Sequence, residues 1–348
     1  MLKTDKKALS FNISFINRAI SKSSLEPAVI DTLLDECRIP KHLLQVPSAR
    51  VPLVQLARVT SRLINASGDE LLGHGREPLP LGSLSLLIHW LISAKTIAEV
   101  LLRLVRFYQI LDKGTLIVTH IEEEQVHLVL EPSDDIDAGT DRYLVENYFF
   151  VIHRILSWLC REIITIGQLE FNFPKPIYAQ DYRAVYYGAP MLFNCVHSRM
   201  SFSSSLLQKP VRQDLASMDI LLKDLFFELY LLDFKTDTWA AKVANEIIHK
   251  LDALPTLPAL AKIIKVKPYT LQRRLADEGT SYLTIKNQLK RDSAIELLIN
   301  TQLTIEDISA RLGFSETSPF TRTFKQWTGV PPSAYRKYQT ALNPPELA

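Results

Sequence analysis

From Leu303 onward the apolar residues fall at helical spacing. Ile305, Ile308 and Leu312 recur three to four residues apart on one face. Thr304 precedes them as an N-cap, and Asp307 three residues later closes a capping box. Gly313 falls where the helix ends and the chain turns, and glycine tolerates φ > 0 there without a Cβ clash. Phe314 is expected to pack back onto the first helix. A second helix opens at Ser315 or Glu316, with Pro319 still inside its first turn, where a missing N–H is harmless. Phe320, Phe324 and Trp327 form its inner stripe. Glu316, Thr317, Ser318, Thr321, Arg322 and Lys325 lie on its start and other faces. Gly329 stops this helix, and Pro331 and Pro332 prevent its continuation before a last short helix reaching Tyr335.

The pattern occurs a second time upstream. Leu257, Leu260, Ala261 and Ile264 predict a supporting helix, and Lys265–Lys267 a turn that lacks the usual small residue. Pro268 opens the following helix, which ends at Gly279. Its Leu271 and Leu275 point inward. Lys267 at the turn and Tyr269, Thr270, Gln272, Arg273 and Arg274 on the helix are left facing out. Between the copies, residues 280–302 read as one amphipathic helix with Leu283, Leu289, Ala294, Leu297 and Leu298 on its buried side. About 20 residues at ~1.5 Å each give ~30 Å. That is close to the ~34 Å between successive major-groove faces of B-DNA.

Two short helices, a tight turn and an outer face of Thr, Ser, Arg and Lys form the pattern of a DNA-reading helix-turn-helix. An αα-hairpin with a solvated basic face fits the same spacing. The string from Gly313 to Arg336 separates the two, because it resembles the signature of the AraC/XylS family of bacterial transcription regulators. Gly313, Phe314, Phe320, Arg322, Phe324, Lys325, Gly329, Pro332, Tyr335 and Arg336 carry the likeness. Ser309 stands where that family usually has alanine. The resemblance covers about 235–340 and implies an all-α domain whose two helix-turn-helix motifs sit in adjacent grooves of one duplex. Arg273 and Arg322 can fork onto guanine O6 and N7, and Gln272 can pair with adenine. Lys267, Arg274 and Lys325 are candidates for phosphate contacts, which position without specifying.

The first 234 residues read differently. Helical segments come first, then two β-branched runs at 115–121 and 125–131 around an acidic tip, a hairpin. A long apolar helix over 140–166, a strand near 168–173, a short helix with two more strands, and an apolar helix over 214–234 follow. This predicts an α+β domain at 10–234 ahead of the helical domain at 235–340, with a short hinge near 234–238. Residues 49–59, 126–132, 187–190 and 200–202 resemble the arabinose-binding-type N-terminal domain of one branch of the family. That resemblance implies effector binding and homodimerisation through this domain, with RNA polymerase as a further partner. His89, Trp90, Tyr108, Tyr143, Tyr148 and Trp158 could line a pocket, but each taken singly reads first as core, so none is assigned to an effector site.

The composition narrows the alternatives. Residues 252–340 hold 13 Lys and Arg against 8 Asp and Glu, net +5, while the remainder holds 27 against 30, net −3. The basic excess lies where phosphate binding needs it. No glycine-rich phosphate loop, HExxH or GxSxG occurs, and Cys37, Cys160 and Cys195 are too far apart for a zinc ribbon. No cofactor, metal or membrane partner is expected. The reading is a cytoplasmic activator that binds double-stranded promoter DNA under the control of a small-molecule effector. An effector-independent regulator and a ligand-modifying enzyme domain fused to a DNA reader remain open. His120 and His127, flanking the hairpin, read as a hydrogen-bonded pair rather than a metal site.

Overall fold

Helices and short strands are interspersed through the first two thirds of the chain in the computed structural model, which describes residues 9–113, 115–132, 141–232 and 238–336. β1 (Ser10–Asn12) and β2 (Arg50–Pro52) pair antiparallel, Phe11 opposite Val51. α1 (Ser14–Ile20) and α2 (Pro27–Glu36) lie between them, and α3 (Leu53–Ser67) follows. Three-residue strands are too short to show an alternation, so neither was legible in sequence. α4 (Ser83–Leu91) and α5 (Ile97–Leu111) break near Ser93 as their pattern predicts, and Thr96 Oγ1 accepts from the Glu99 N–H to cap the second.

The predicted hairpin is β3 (Thr115–Ile121) and β4 (Gln125–Pro132), with His120 opposite His127. α6 (Arg142–Cys160) is buried along nearly its whole length. It stops before the predicted 166, where Arg161 turns into the left-handed region at φ 56°. β5 (Gln168–Glu170), α7 (Ala179–Val185), β6 (Met191–Leu192) and β7 (Ser198–Ser203) complete the sheet. Its order is β3-β4-β7-β5-β6, antiparallel except for β5 with β6. The apolar run read as one helix over 214–234 is two, α8 (Leu215–Leu222) and α9 (Leu225–Leu231). Asp224 breaks it with extended φ −152°, its carboxylate accepting from Ser61 Oγ at 2.6 Å.

The ionic groups of α6 are buried with the rest of the helix and find partners there. Glu146 accepts from the Tyr178 and Tyr182 hydroxyls, His153 Nε2 bonds the Ile164 carbonyl at 2.8 Å, and Arg154 donates to Tyr187 and Val185. Most buried polar groups are partnered in this way. Among the described residues no helix is long and apolar enough to cross a membrane.

The elements that follow are helices: α10 (Trp239–Ile247), α11 (Leu257–Ile263), α12 (Pro268–Asp277), α13 (Tyr282–Asn300), α14 (Ile305–Arg311) and α15 (Thr317–Thr328). Two compact units result. One gathers residues 9–15, 31–56 and 238–336; the other holds 16–30 and 57–232. The first therefore contains β1 and β2 as well as α10 to α15. The hinge expected near 234–238 and the end expected at 340 fall largely outside the described residues.

Candidate nucleic-acid interface

α11 with α12 and α14 with α15 are two helix-turn-helix pairs with turns of the same geometry. After α14, the Gly313 N–H donates to Ala310 and the Phe314 N–H to Ser309, while Gly313 sits at φ 68°. After α11, Lys265 donates to Lys262 and Val266 to Ala261, with Lys265 at φ 60°. Each is a left-handed C-terminal cap that satisfies the last carbonyls of the supporting helix. A Cβ on Gly313 would lie 2.5 Å from the Asp252 carbonyl oxygen, so glycine is required twice over, by φ and by space. Lys265 holds the same backbone shape with a side chain, at a cost of roughly 1–2 kcal/mol.

Thr304 and Asp307 form the predicted capping box, each accepting from the other's backbone N–H at 3.0 and 3.1 Å. Ser309 is buried and donates to the Glu316 carbonyl at 3.0 Å. The departure from the family's alanine thus ties the supporting helix to the start of α15. Phe320 and Phe324 are fully buried beneath α15, each contributing about 1.5–3 kcal/mol.

The candidate contact residues separate by placement. On α15 and its N-cap, Glu316, Ser318, Arg322 and Lys325 are exposed, and Thr317 and Thr321 half-buried. On α12 and its N-cap, Lys267, Tyr269, Gln272 and Arg273 are exposed, Tyr269 to 74%, and Thr270 is half-buried. Arg274 is drawn away from this set. Its guanidinium lies over the Trp239 ring at 4.2 Å, next to Glu278, whose carboxylate accepts from the N–H groups of Trp239 and Ala240 at the start of α10. A cation on an aromatic face and a carboxylate at a helix N-terminus both favour this seam. Trp239 and Glu278 were not singled out in sequence; a lone Trp after an N-cap Thr was the only signal.

α13 joins the pairs. It packs on α10, α14, α15 and β2, and α10 packs on α12. Its buried residues include Ile285, Leu289, Ala294, Ile295 and Leu298, whereas Leu283, read as buried, is 61% exposed because it lies at the solvent side of the first turn. Burial on more than one side also takes in Lys290, over the Phe314 ring at 4.9 Å, and Asp292. Asp292 accepts from Ser10 Oγ at 2.5 Å and from Arg291 Nε at 2.8 Å. Arg50 Nε donates to the same Ser10 hydroxyl, and the Tyr335 hydroxyl both accepts from the Arg50 N–H and donates to its carbonyl, each at 3.0 Å. Burial pushes the Tyr335 hydroxyl up to about 12. β1 and β2 are thus hydrogen-bonded into the unit that carries both helix-turn-helix pairs.

In the other unit, the candidate pocket residues do not assemble. His89 and Trp90 are exposed on α4, whereas Tyr108, Tyr143, Tyr148 and Trp158 are core. Tyr108 meets Tyr148 edge-on at 5.0 Å, and Tyr143 stacks on His74 at 4.2 Å. His127 bonds Ser201 Oγ at 2.7 Å. No cluster of three or more metal-ligating side chains occurs among the described residues.

Comparison with known proteins adds two matches along the chain. The family described as the arabinose-binding domain of AraC transcription regulators, N-terminal, matches residues 29–211, and a helix-turn-helix domain family matches 260–338. The ornithine utilization regulator of Pseudomonas aeruginosa is 22% identical over 95% of this chain and 99% of its own length. The uncharacterized HTH-type transcriptional regulator Mb1430 of Mycobacterium bovis is 30% identical over 153 residues, 42% of each chain. The match therefore spans about two fifths of that relative's length. Among solved structures, the transcriptional regulator CdpR of Pseudomonas aeruginosa aligns over 89% of this chain and 97% of its own at 22% identity, with a TM-score of 0.30.

Proposed function

The chain belongs to the AraC family of transcription regulators, and on that premise we propose that it is a sequence-specific activator whose DNA binding answers to a small molecule. Residues 235–340 read double-stranded promoter DNA, and 10–234 bind the effector and pair two copies, with segments 9–15 and 31–56 built into the reader's compact unit. The protein works in the cytoplasm, contacts RNA polymerase once bound, and catalyses no reaction.

The observation that supports this most directly is the pair of exposed polar helices. Arg273 on α12 and Arg322 on α15 stand free of the core; α15 packs on α13 directly, and α12 packs on α10, which in turn packs on α13. Each can present its guanidinium fork to a guanine. Lys267 and Lys325, exposed nearby, suit phosphate.

Binding-site selection with the full chain tests the reading. The wild-type protein should enrich one duplex sequence, with affinity falling steeply as salt rises. Arg273→Ala and Arg322→Ala should each relax one base position and cost about 1–3 kcal/mol. Lys325→Ala should weaken all duplexes alike. A wild-type protein that enriches no sequence at ~50–100 mM salt would defeat the proposal.

A further inference from the structure

β7 carries Ser201 opposite His127 of β4 on one side and Gln168 of β5 on the other. Ser201 is 4% exposed, yet it lines a cleft of about 710 Å³ between the hairpin tip and the residues that follow β7. Ser203, Ser204, Ser205 and two glutamines supply most of the remaining polar wall, and half-buried Leu207 an apolar one. Glu124 is the only charged side chain among the lining residues.

His127 stands behind Ser201, 3% exposed, with Nδ1 2.7 Å from Ser201 Oγ. Its Nε2 is buried and makes no hydrogen bond; Glu122 Oε2 lies 3.5 Å away, beyond a well-formed bond. The carboxylate favours the tautomer that carries its proton on Nε2. In that tautomer Nδ1 accepts the Ser201 hydroxyl proton, which leaves the serine oxygen as an acceptor. A buried acceptor, an acidic rim and no cation in the wall select a hydrogen-bond donor that is also positively charged.

We infer that this cleft binds a small molecule bearing an ammonium group, held by Ser201 and Glu124 with its methylene stem against Leu207. The inference rests on the effector reading above and names the ligand class and place. Isothermal titration of the full chain with cadaverine and L-lysine, against pentanediol and glutarate, tests it. At least one amine should bind saturably, with the diol and diacid silent. Ser201→Ala and Glu124→Gln should each weaken that binding about tenfold. Glu124 is exposed at the hairpin tip, so Glu124→Gln reports on the site even where Ser201→Ala disturbs the sheet. Glu124→Lys should reverse the preference toward glutarate. Absence of amine binding up to about 10 mM, or binding unchanged in Glu124→Gln, overturns the site. A wider thermal-shift screen separates the two readings. A ligand of any class that raises Tm equally in wild type and both variants sinks this cleft and leaves an effector domain standing, whereas no ligand at all counts against both.

Discussion

Lys265 and Gly313 occupy equivalent turns at nearly the same φ, 60° and 68°. The lysine bears the Cβ penalty of a left-handed backbone; the glycine does not. Lys265→Gly should therefore stabilise the first pair by about 0.5–1 kcal/mol, the relief of strain outweighing the freedom gained by the unfolded chain. Gly313→Ala should cost about 2–4 kcal/mol, because the new Cβ meets the Asp252 carbonyl as well as the φ penalty. Urea unfolding of the two variants measures both, and equal effects of opposite expectation would reassign the turn. A second residue-scale prediction concerns Glu70, which caps α4 by accepting from the N–H groups of Gly82 and Leu84 at 2.8 and 2.9 Å. Burial pushes its carboxyl up to about 7, against the bonds that favour the anion. Folded Glu70 holds its proton to higher pH than the unfolded chain, whose value is near 4.5. Its stabilising contribution is complete below that value and is lost as pH rises through about 7. Thermal melts should thus show Tm falling from about pH 5 to 8, with a shallower fall in Glu70→Gln. A slope identical in both proteins would show that other groups set it.

At the scale of elements, α13 decides how the two reading helices relate. Its 19 residues span about 28 Å, near the ~34 Å repeat of the major groove. Burial on several sides keeps it stiff, since Ile285, Leu289, Ala294, Ile295 and Leu298 are all below the surface. Half-sites should therefore lie on one face of the duplex, about 10–10.5 bp apart. Inserting ~5 bp between them turns the second groove to the far side, and affinity should fall toward that of one helix-turn-helix pair. Inserting ~10 bp restores the face but not the distance, so recovery should be partial and should need bent DNA. Gel-shift titration compares the three sites; equal affinity for the five-pair insertion would make α13 a tether rather than a ruler.

For the whole molecule, the unit that carries the helix-turn-helix pairs is assembled from distant stretches of chain. Asp292 takes a hydrogen bond from Ser10, and Tyr335 exchanges two with the Arg50 backbone. A fragment starting at residue 236 lacks Ser10 and Arg50 and so loses these tertiary hydrogen bonds, each worth about 0.5–1.5 kcal/mol. Amides in α13 should exchange with deuterium faster in that fragment than in the full chain. Equal protection would mean that β1 and β2 add nothing to the helices they join.

What the sequence determined by itself is most of what is governed by spacing within about thirty residues. Both helix-turn-helix pairs, the capping box at Thr304, the β3–β4 hairpin and the break near Ser93 follow from periodicity and from residues with special backbone freedom. Family membership was legible for the same reason, because its signature is a local string. Tertiary structure alone decided what depends on distant partners. Lys265 adopts a glycine's conformation because α11 and α12 pack on one another, which outweighs a backbone cost of roughly 1–2 kcal/mol. Arg274 turns from the outer face because Trp239, thirty-five residues upstream, offers its ring. β1 and β2 pair across about forty residues, and Ser201 meets His127 only through the register of β4 with β7. Such pairings are set by the burial of whole faces, which no short window of sequence contains.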